Sequence, residues 1–497
     1  MNRSRSTRGA VAAGHVACVD AAAEILADGG NAFDAAIAAL WTSCVVEPVL
    51  ASPGGGGFLM ARPAAGAVML HDFFVDTPGR KRHEDDIEFT EIHADFGTAT
   101  QAFHIGAGAS ATPGFVPGLF AVHEELGSLP MRRLAEPAVR VARDGVAMTA
   151  FQAFLAEVVS PILTWTAEAR ALFAPDGELL KTGALYRNPD LADTLDVLSR
   201  EGLRFATEGE LAGAMAACCS EAGHLTQADI AGYRVARRDP LMRKLGSWQV
   251  ALNPPPSLGG ALIATMLSDL EQRGEPGPAA LAAAVDRTDR HWRVAPTDPY
   301  RLLGASGGKK SAGVASRGTT HVSVVDEDGN VASATVSNGE GNGRIVPGCG
   351  FMVNNMLGEE DVNPGGFHRW TPGHRLASMM APTIAADKEG ALLAVGSGGS
   401  NRIRTAVLQV LSRRLREGQP LEEAVTAPRI HVEKGHCDFE DFFSSDERHA
   451  LVSAFPDHRA WAEQSLFFGG AHSAERSRRG GFSAVGDPRR EGAARVG

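Results

Sequence analysis

Residues 317–343 read RGTTHVSVVDEDGNVASATVSNGEGNG. Two alternating apolar runs flank DEDGN, and an Asp-Gly pair between such runs is a strong short-range signal for a β-hairpin. With Asp328 and Gly329 as a two-residue loop, Thr320 falls opposite Ser337 and Thr319 opposite Asn338. Thr335 and Ser337 share one face of the returning strand, because side chains alternate along a strand with a period of two. The hairpin therefore predicts a cluster of hydroxyls around Thr319. One reading is a polar strand pair on a solvated edge. The other is a threonine nucleophile. A threonine hydroxyl attacks poorly without an adjacent base, and one solution places it at a chain N-terminus, where its own α-amine is the base. That solution needs a cut before Thr319. Gly318 and the preceding stretch GGKKSAGVASRG suit one.

The 497 residues are 44% hydrophobic, enough to bury a large core as one big domain or two ordinary ones. A net charge of −11 argues against nucleic acid or an anionic membrane as partner. The six cysteines form no CxxC pair and read as buried, reduced thiols. The basic N-terminus is not followed by an apolar segment of signal-peptide length, and no run is long enough to span a membrane. A cytoplasmic location is the expectation. His431, His436, Cys437 and Asp438 fit no standard metal spacing. GAGASA at 106–111 has the glycines of a dinucleotide loop, but Thr112, Pro113 and Gly114 break the helix such a loop requires. Neither a metal nor another cofactor is expected.

Val16–Leu26 and the run after Asn31 are helical in pattern, with Asn31 as N-cap and Pro48 as terminator. A glycine run then leads into alternating segments at 53–75. Residues 115–220 are mostly helical in pattern, and TQAD at 226–229 is a capping signature. Strand patterns dominate after 317, at 317–337, SMMAPTIAAD and GALLAVGSG, before a helix in NRIRTAVLQVLSRRLREG. There is no internal repeat. Helices in blocks with strands concentrated late predict a layered protein with antiparallel sheets.

Along nearly its whole length the chain resembles the γ-glutamyltranspeptidase family of N-terminal-nucleophile hydrolases. The resemblance rests on AAGHVACVDAAAEILADGGNAFDAAIAA, GGGGF, HLTQADIAGY, PPPSLGGALIATML, GTTHVSVVDEDGNVAS, SMMAPTI, GSGGSNRI and GGFSAVGDPRREGAA, in family order. It implies an α/β (α+β) fold, an αββα sandwich. It also implies one integrated domain cut into a large piece, 1–318, and a small piece, 319–497. Thr319 is implied as the nucleophile that attacks a γ-glutamyl amide, and the acyl group then passes to water or an amino acceptor. Thr335 matches the family threonine that hydrogen-bonds the nucleophile, and Ser337 belongs to the same hydroxyl cluster at the substrate. The turn in GSGGSNRI matches the oxyanion hole, formed by Gly398 and Gly399 with Ser400 beside them.

Departures from the family pattern fall in the substrate pocket. Phe74 stands where the family's FREMAP-like segment carries the arginine that holds the substrate α-carboxylate, and a neutral ring cannot replace a guanidinium. Arg80 and Arg82 are nearby candidates for that role. The paired serines before MSPT become Ser378 and Met379. Met356 replaces an amide after the Asn-Asn pair, while Glu359 keeps an acid for the substrate amine. Asn338 lies one residue from the family's substrate-binding asparagine. Three readings remain open at this level: an autoprocessed γ-glutamyl hydrolase or transferase, an acylase for another acyl group, and a non-catalytic homologue.

Overall fold

The computed structural model describes residues 8–95, 100–294, 302–303, 318–363 and 365–497. The stretch GGKKSAGVASRG before Gly318, read above as suited to a cut, lies outside the described residues. Two antiparallel sheets pack against each other. The first runs Ala493–Val496, Gly9–Ala13, Thr319–Asp326, Val331–Ser337, Gly56–Arg62, Met69–Phe73, Ala236–Arg238. The second runs Phe482–Val485, Gly470–Arg476, Leu392–Gly398, Thr383–Asp387, Trp248–Leu252, Leu241–Leu245. Helices Val16–Ala27, Ala32–Val46 and Phe115–Leu126 cover the outer face of the first sheet, and Gly259–Arg273 and Arg402–Leu411 that of the second. This is the αββα sandwich.

Alternation along the hairpin decides what faces what. Val322, Val324, Ala332, Ala334 and Val336 point to the helical side and join its apolar core. Thr319, His321, Ser323, Ser333, Thr335 and Ser337 are on the opposite face, toward the second sheet. Their polar groups are satisfied across the gap. Ser323 Oγ donates to the His472 carbonyl at 3.0 Å, and Ser333 Oγ donates to the Val395 carbonyl at 3.1 Å. The sheets approach closely because the facing strand carries glycines. A Cβ on Gly396 would lie 2.2 Å from His321 Cε1, and one on Gly398 would lie 2.1 Å from the Thr319 carbonyl oxygen.

The hairpin register differs by one residue from the expected one. Thr319 pairs with Ser337, Thr320 with Val336 and His321 with Thr335. The loop has three residues, Glu327 to Gly329, with Gly329 at φ +92°. Asp326 is the cause: its carboxylate accepts from Asn330 N and Nδ2, which closes the strand pair one residue outside the Asp-Gly turn. The other oxygen also accepts from Ala32 N, at the start of the central helix. That helix, Ala32–Val46, is buried at every position and begins with a capping box between Asn31 and Asp34.

Candidate active site

Thr319 opens its strand and is 3% exposed. The peptide before it is tightly specified. Gly318 N donates to Glu340 Oε1 at 3.2 Å, and the Gly318 carbonyl accepts from Ser337 Oγ. A Cβ on Gly318 would overlap the Gly339 carbonyl oxygen at 1.6 Å, so only glycine fits there. Ser337 Oγ also accepts from Gly339 N at 3.0 Å. The hydroxyl beside the Gly318–Thr319 peptide is therefore that of Ser337. Thr335, expected to serve Thr319, hydrogen-bonds His321 Nδ1 at 2.8 Å instead. In the observed register Ser337 is opposite Thr319 and Thr335 is opposite His321, so Ser337 is the hydroxyl across from Thr319. His321 Nε2 meets Ser323 Oγ at 2.9 Å, and full burial holds the imidazole well below its usual range, so it stays neutral.

Thr319 lines a pocket with Phe74, Ser337, Met356, Val362, Ser378, Met379, Met380, Ser400 and Ile403. The uncut chain leaves only about 20 Å³ of open space there. Phe74 stacks on Phe58 with centroids 5.5 Å apart. Ser378 Oγ accepts from Met380 N, and its carbonyl accepts from Ser257 Oγ, which ties the SMM segment to the proline-rich loop. Ser400 is buried at φ +62°, in the left-handed region disfavoured for a side-chain-bearing residue, and its hydroxyl has no hydrogen-bond partner among the described residues. Gly399 precedes it at φ +118°. Gly398 lies against the Thr319 carbonyl, so the turn expected to hold an oxyanion is beside Thr319.

Among the described residues no cation lines the pocket. Arg80 and Arg82 do not take the clamp role: both guanidinium groups donate to the carbonyl of Ser220, at the end of helix Glu210–Ser220. Arg375, next to the Phe74 segment, is committed to Asp72 and Asp76. Asn338 and Glu359 are buried behind the pocket and do not line it. Glu359 Oε1 would lie 2.2 Å from a Cβ on Gly339, which places the carboxylate under the turn after Ser337. A larger cavity of about 280 Å³, bordered by Cys218 and Arg344, shares no residue with this pocket. Among the described residues no group of three or more His, Cys, Asp or Glu could hold a metal ion.

Two charged residues near Thr319 escape a reading of the sequence. Glu47 ends the central helix, and both its carboxylate oxygens lie about 3 Å from Thr320 Oγ1. Burial pushes its pKa up to about 7. Arg490 Nη1 is 3.4 Å from the Thr319 carbonyl oxygen, and burial lowers its pKa to about 10. Glu47 had one weak signal, an acid ending an apolar helix. Arg490 sat inside a recognised motif with nothing to point to its partner.

The γ-glutamyltranspeptidase family model matches residues 18–291 and 289–497. The chain is 31% identical over 484 residues to the acylase ACY 1 proenzyme of Pseudomonas sp. strain V22, covering 90% of this chain and 86% of that protein. It is 29% identical over 472 residues to the glutathione hydrolase proenzyme of Escherichia coli K12, covering 84% and 80%. The crystal structure of cephalosporin acylase from Bacillus halodurans superposes with a TM-score of 0.83 over 99% of this chain and 96% of that one, at 21% identity, a likeness of fold. With the family model matched over almost the whole chain and relatives that are acylase and glutathione hydrolase proenzymes, the chain belongs to the γ-glutamyltranspeptidase family.

Proposed function

We propose that the chain cuts itself between Gly318 and Thr319 and then acts as an acylase, on amides whose acyl part lacks the γ-glutamyl α-carboxylate. The lining of the Thr319 pocket, apolar side chains and hydroxyls with no cation among the described residues, carries this reading. In the cut, Thr319 Oγ1 attacks the Gly318 carbonyl carbon, and the negative charge develops on the oxygen that Ser337 Oγ already contacts. Collapse breaks the C–N bond and moves the acyl group to Oγ1, and water hydrolyses that ester. The products are a carboxylate on Gly318 and a free α-amine on Thr319. In turnover that amine accepts the proton of Oγ1 as Oγ1 attacks the substrate amide, then returns it to the departing amine. The turn at Gly398, Gly399 and Ser400 supplies donors to the substrate oxyanion. Water or an amino acceptor then takes the acyl group.

Phe74, Met356, Val362, Met379, Met380 and Ile403 offer surface to an apolar acyl chain. An α-carboxylate there would be desolvated without a partner, at a cost of about 2–4 kcal/mol, or about 30- to 1000-fold in affinity. The test is kcat/KM for a γ-glutamyl anilide, the glutaryl anilide and an aliphatic acyl anilide. The γ-glutamyl and glutaryl compounds, which both carry the carboxylate, should each be poorer than the aliphatic acyl anilide by at least about 30-fold. Phe74→Arg should narrow the gap. A wild-type preference for the γ-glutamyl anilide overturns the acyl-group reading. Intact mass tests the cut itself: masses of 1–318 and 319–497 are expected, and a persistent full-length chain argues against it.

A further inference from the structure

We infer that Glu47 and Arg490 are positioning residues that hold the Thr319–Thr320 end of the small piece after cleavage, a role that rests on the Gly318–Thr319 cut proposed above. Before the cut, Gly318 fixes the start of the strand. After it, the strand begins at the reacting residue, and strand ends fray unless something ties them down. A nucleophile must stay within a fraction of an ångström of its attack geometry.

Two contacts tie it down. Thr320 Oγ1 donates to Glu47, at 3.1 Å from Oε1 and 3.0 Å from Oε2. Arg490 Nη1 donates to the Thr319 carbonyl. Glu47 belongs to the large piece and Arg490 to the small one, so the two clamp the new terminus from both fragments. Local space is arranged around them. A Cβ on Gly14 would lie 2.5 Å from Glu47 Oε1 and 2.7 Å from Thr320 Oγ1. A Cβ on Gly398 would lie 2.8 Å from Arg490 Nη1, and one on Gly399 3.2 Å from Nη2. Arg490 therefore also backs the turn expected to stabilise the oxyanion.

Folding alone would not select this arrangement. Glu47 is 1% exposed and caps a helix C-terminus, the end that repels an anion. Among the described residues neither Glu47 nor Arg490 has an oppositely charged group within 4 Å, and Arg490 Nε has no hydrogen-bond partner. The groups facing Glu47 are Cys18 from helix Val16–Ala27, with Sγ 3.9 Å from Oε2, Thr320 from the strand and Arg490 at longer range. Asp487 and Arg402 are the other charges acting on Arg490. Ionised Glu47 makes the stronger, charge-assisted bond to Thr320, so the clamp tightens as that carboxyl ionises.

The measurement is kcat, KM and the pH profile of the cleaved enzyme on the best anilide, for wild type and Glu47→Gln. Wild-type log kcat/KM should fall on the acid side with a slope of 1 from the Thr319 amine, whose ordinary pKa is about 8, made steeper over a step of about one log unit where Glu47 also takes up a proton. Glu47→Gln should lower kcat about 10-fold, leave KM within about twofold, and remove the steeper step so that the slope is 1 throughout, a split expected of lost positioning rather than lost binding. Thr320→Val should reproduce the kcat loss and Thr320→Ser should largely restore it, an independent arm if Glu47→Gln does not fold. A cleaved Glu47→Gln enzyme with unchanged kcat and slope, or equal rates for Thr320→Val and Thr320→Ser, overturns the inference and leaves the proposed function standing. A wild-type chain that never cleaves removes both.

Discussion

At the scale of single residues, the two hydroxyls of the returning strand have different partners. Ser337 donates to the Gly318 carbonyl, the one that would become an oxyanion in the proposed cut, and Thr335 hydrogen-bonds His321. Ser337→Ala should slow self-cleavage by about 10²–10³, the usual cost of one oxyanion donor, measured as the rate of appearance of the 319–497 fragment. Thr335→Val should instead cost about 1–3 kcal/mol of stability by leaving a buried imidazole nitrogen unpaired, read from denaturant unfolding, with cleavage little changed. Glu47 sets a pH dependence of stability as well. Its folded pKa of about 7 lies above its ordinary 4.5, so the fold favours the neutral form. The unfolded chain ionises first, so stability falls as pH rises from about 4.5 to about 7, by about 3 kcal/mol in all. Glu47→Gln should therefore gain stability at pH 8 and gain little at pH 4, in thermal melts of a chain whose cleavage is blocked by Thr319→Ala. A group that costs stability and is still present is the pattern of a residue kept for activity.

Among elements, the hairpin and the central helix are one unit joined by Asp326. Its carboxylate sets the three-residue loop through Asn330 and accepts the first N–H of helix Ala32–Val46. Asp326→Ala would leave these donors unpaired and should cost about 2–3 kcal/mol, seen as a lower unfolding midpoint. It should also slow cleavage, because the loop register decides whether Ser337 or Asn338 sits opposite Thr319. Asp326→Asn, which keeps acceptor oxygens, should recover part of both.

For the whole molecule, the first sheet interleaves strands from the two pieces. Gly9–Ala13 lies between Ala493–Val496 and Thr319–Asp326, and Val331–Ser337 pairs with Gly56–Arg62. A cut at 318 breaks one peptide bond and no strand pair. The cleaved protein should elute from size exclusion as one species containing both fragments and unfold in a single transition. Fragments that separate without denaturant would contradict this sheet order.

The hairpin at 317–343 was legible because alternation and an Asp-Gly turn are local, and the central helix because Asn31, Asp34 and Pro48 mark its ends within one stretch of chain. The family motifs extended that to the sandwich fold. Alternation along the strands does not separate a two-residue loop from a three-residue one, because the bonds that close the loop come from the Asp326 side chain to Asn330. The family resemblance pointed to Thr335, whereas Ser337 is the hydroxyl opposite Thr319. Nor could the sequence show Glu47 against Thr320, or Arg490 against Thr319: a contact between distant segments leaves no period and no spacing in the chain. Local order belongs to the sequence because neighbouring residues set it. The surroundings of Thr319 belong to the tertiary structure, because strands and turns from both pieces must be packed before those groups meet.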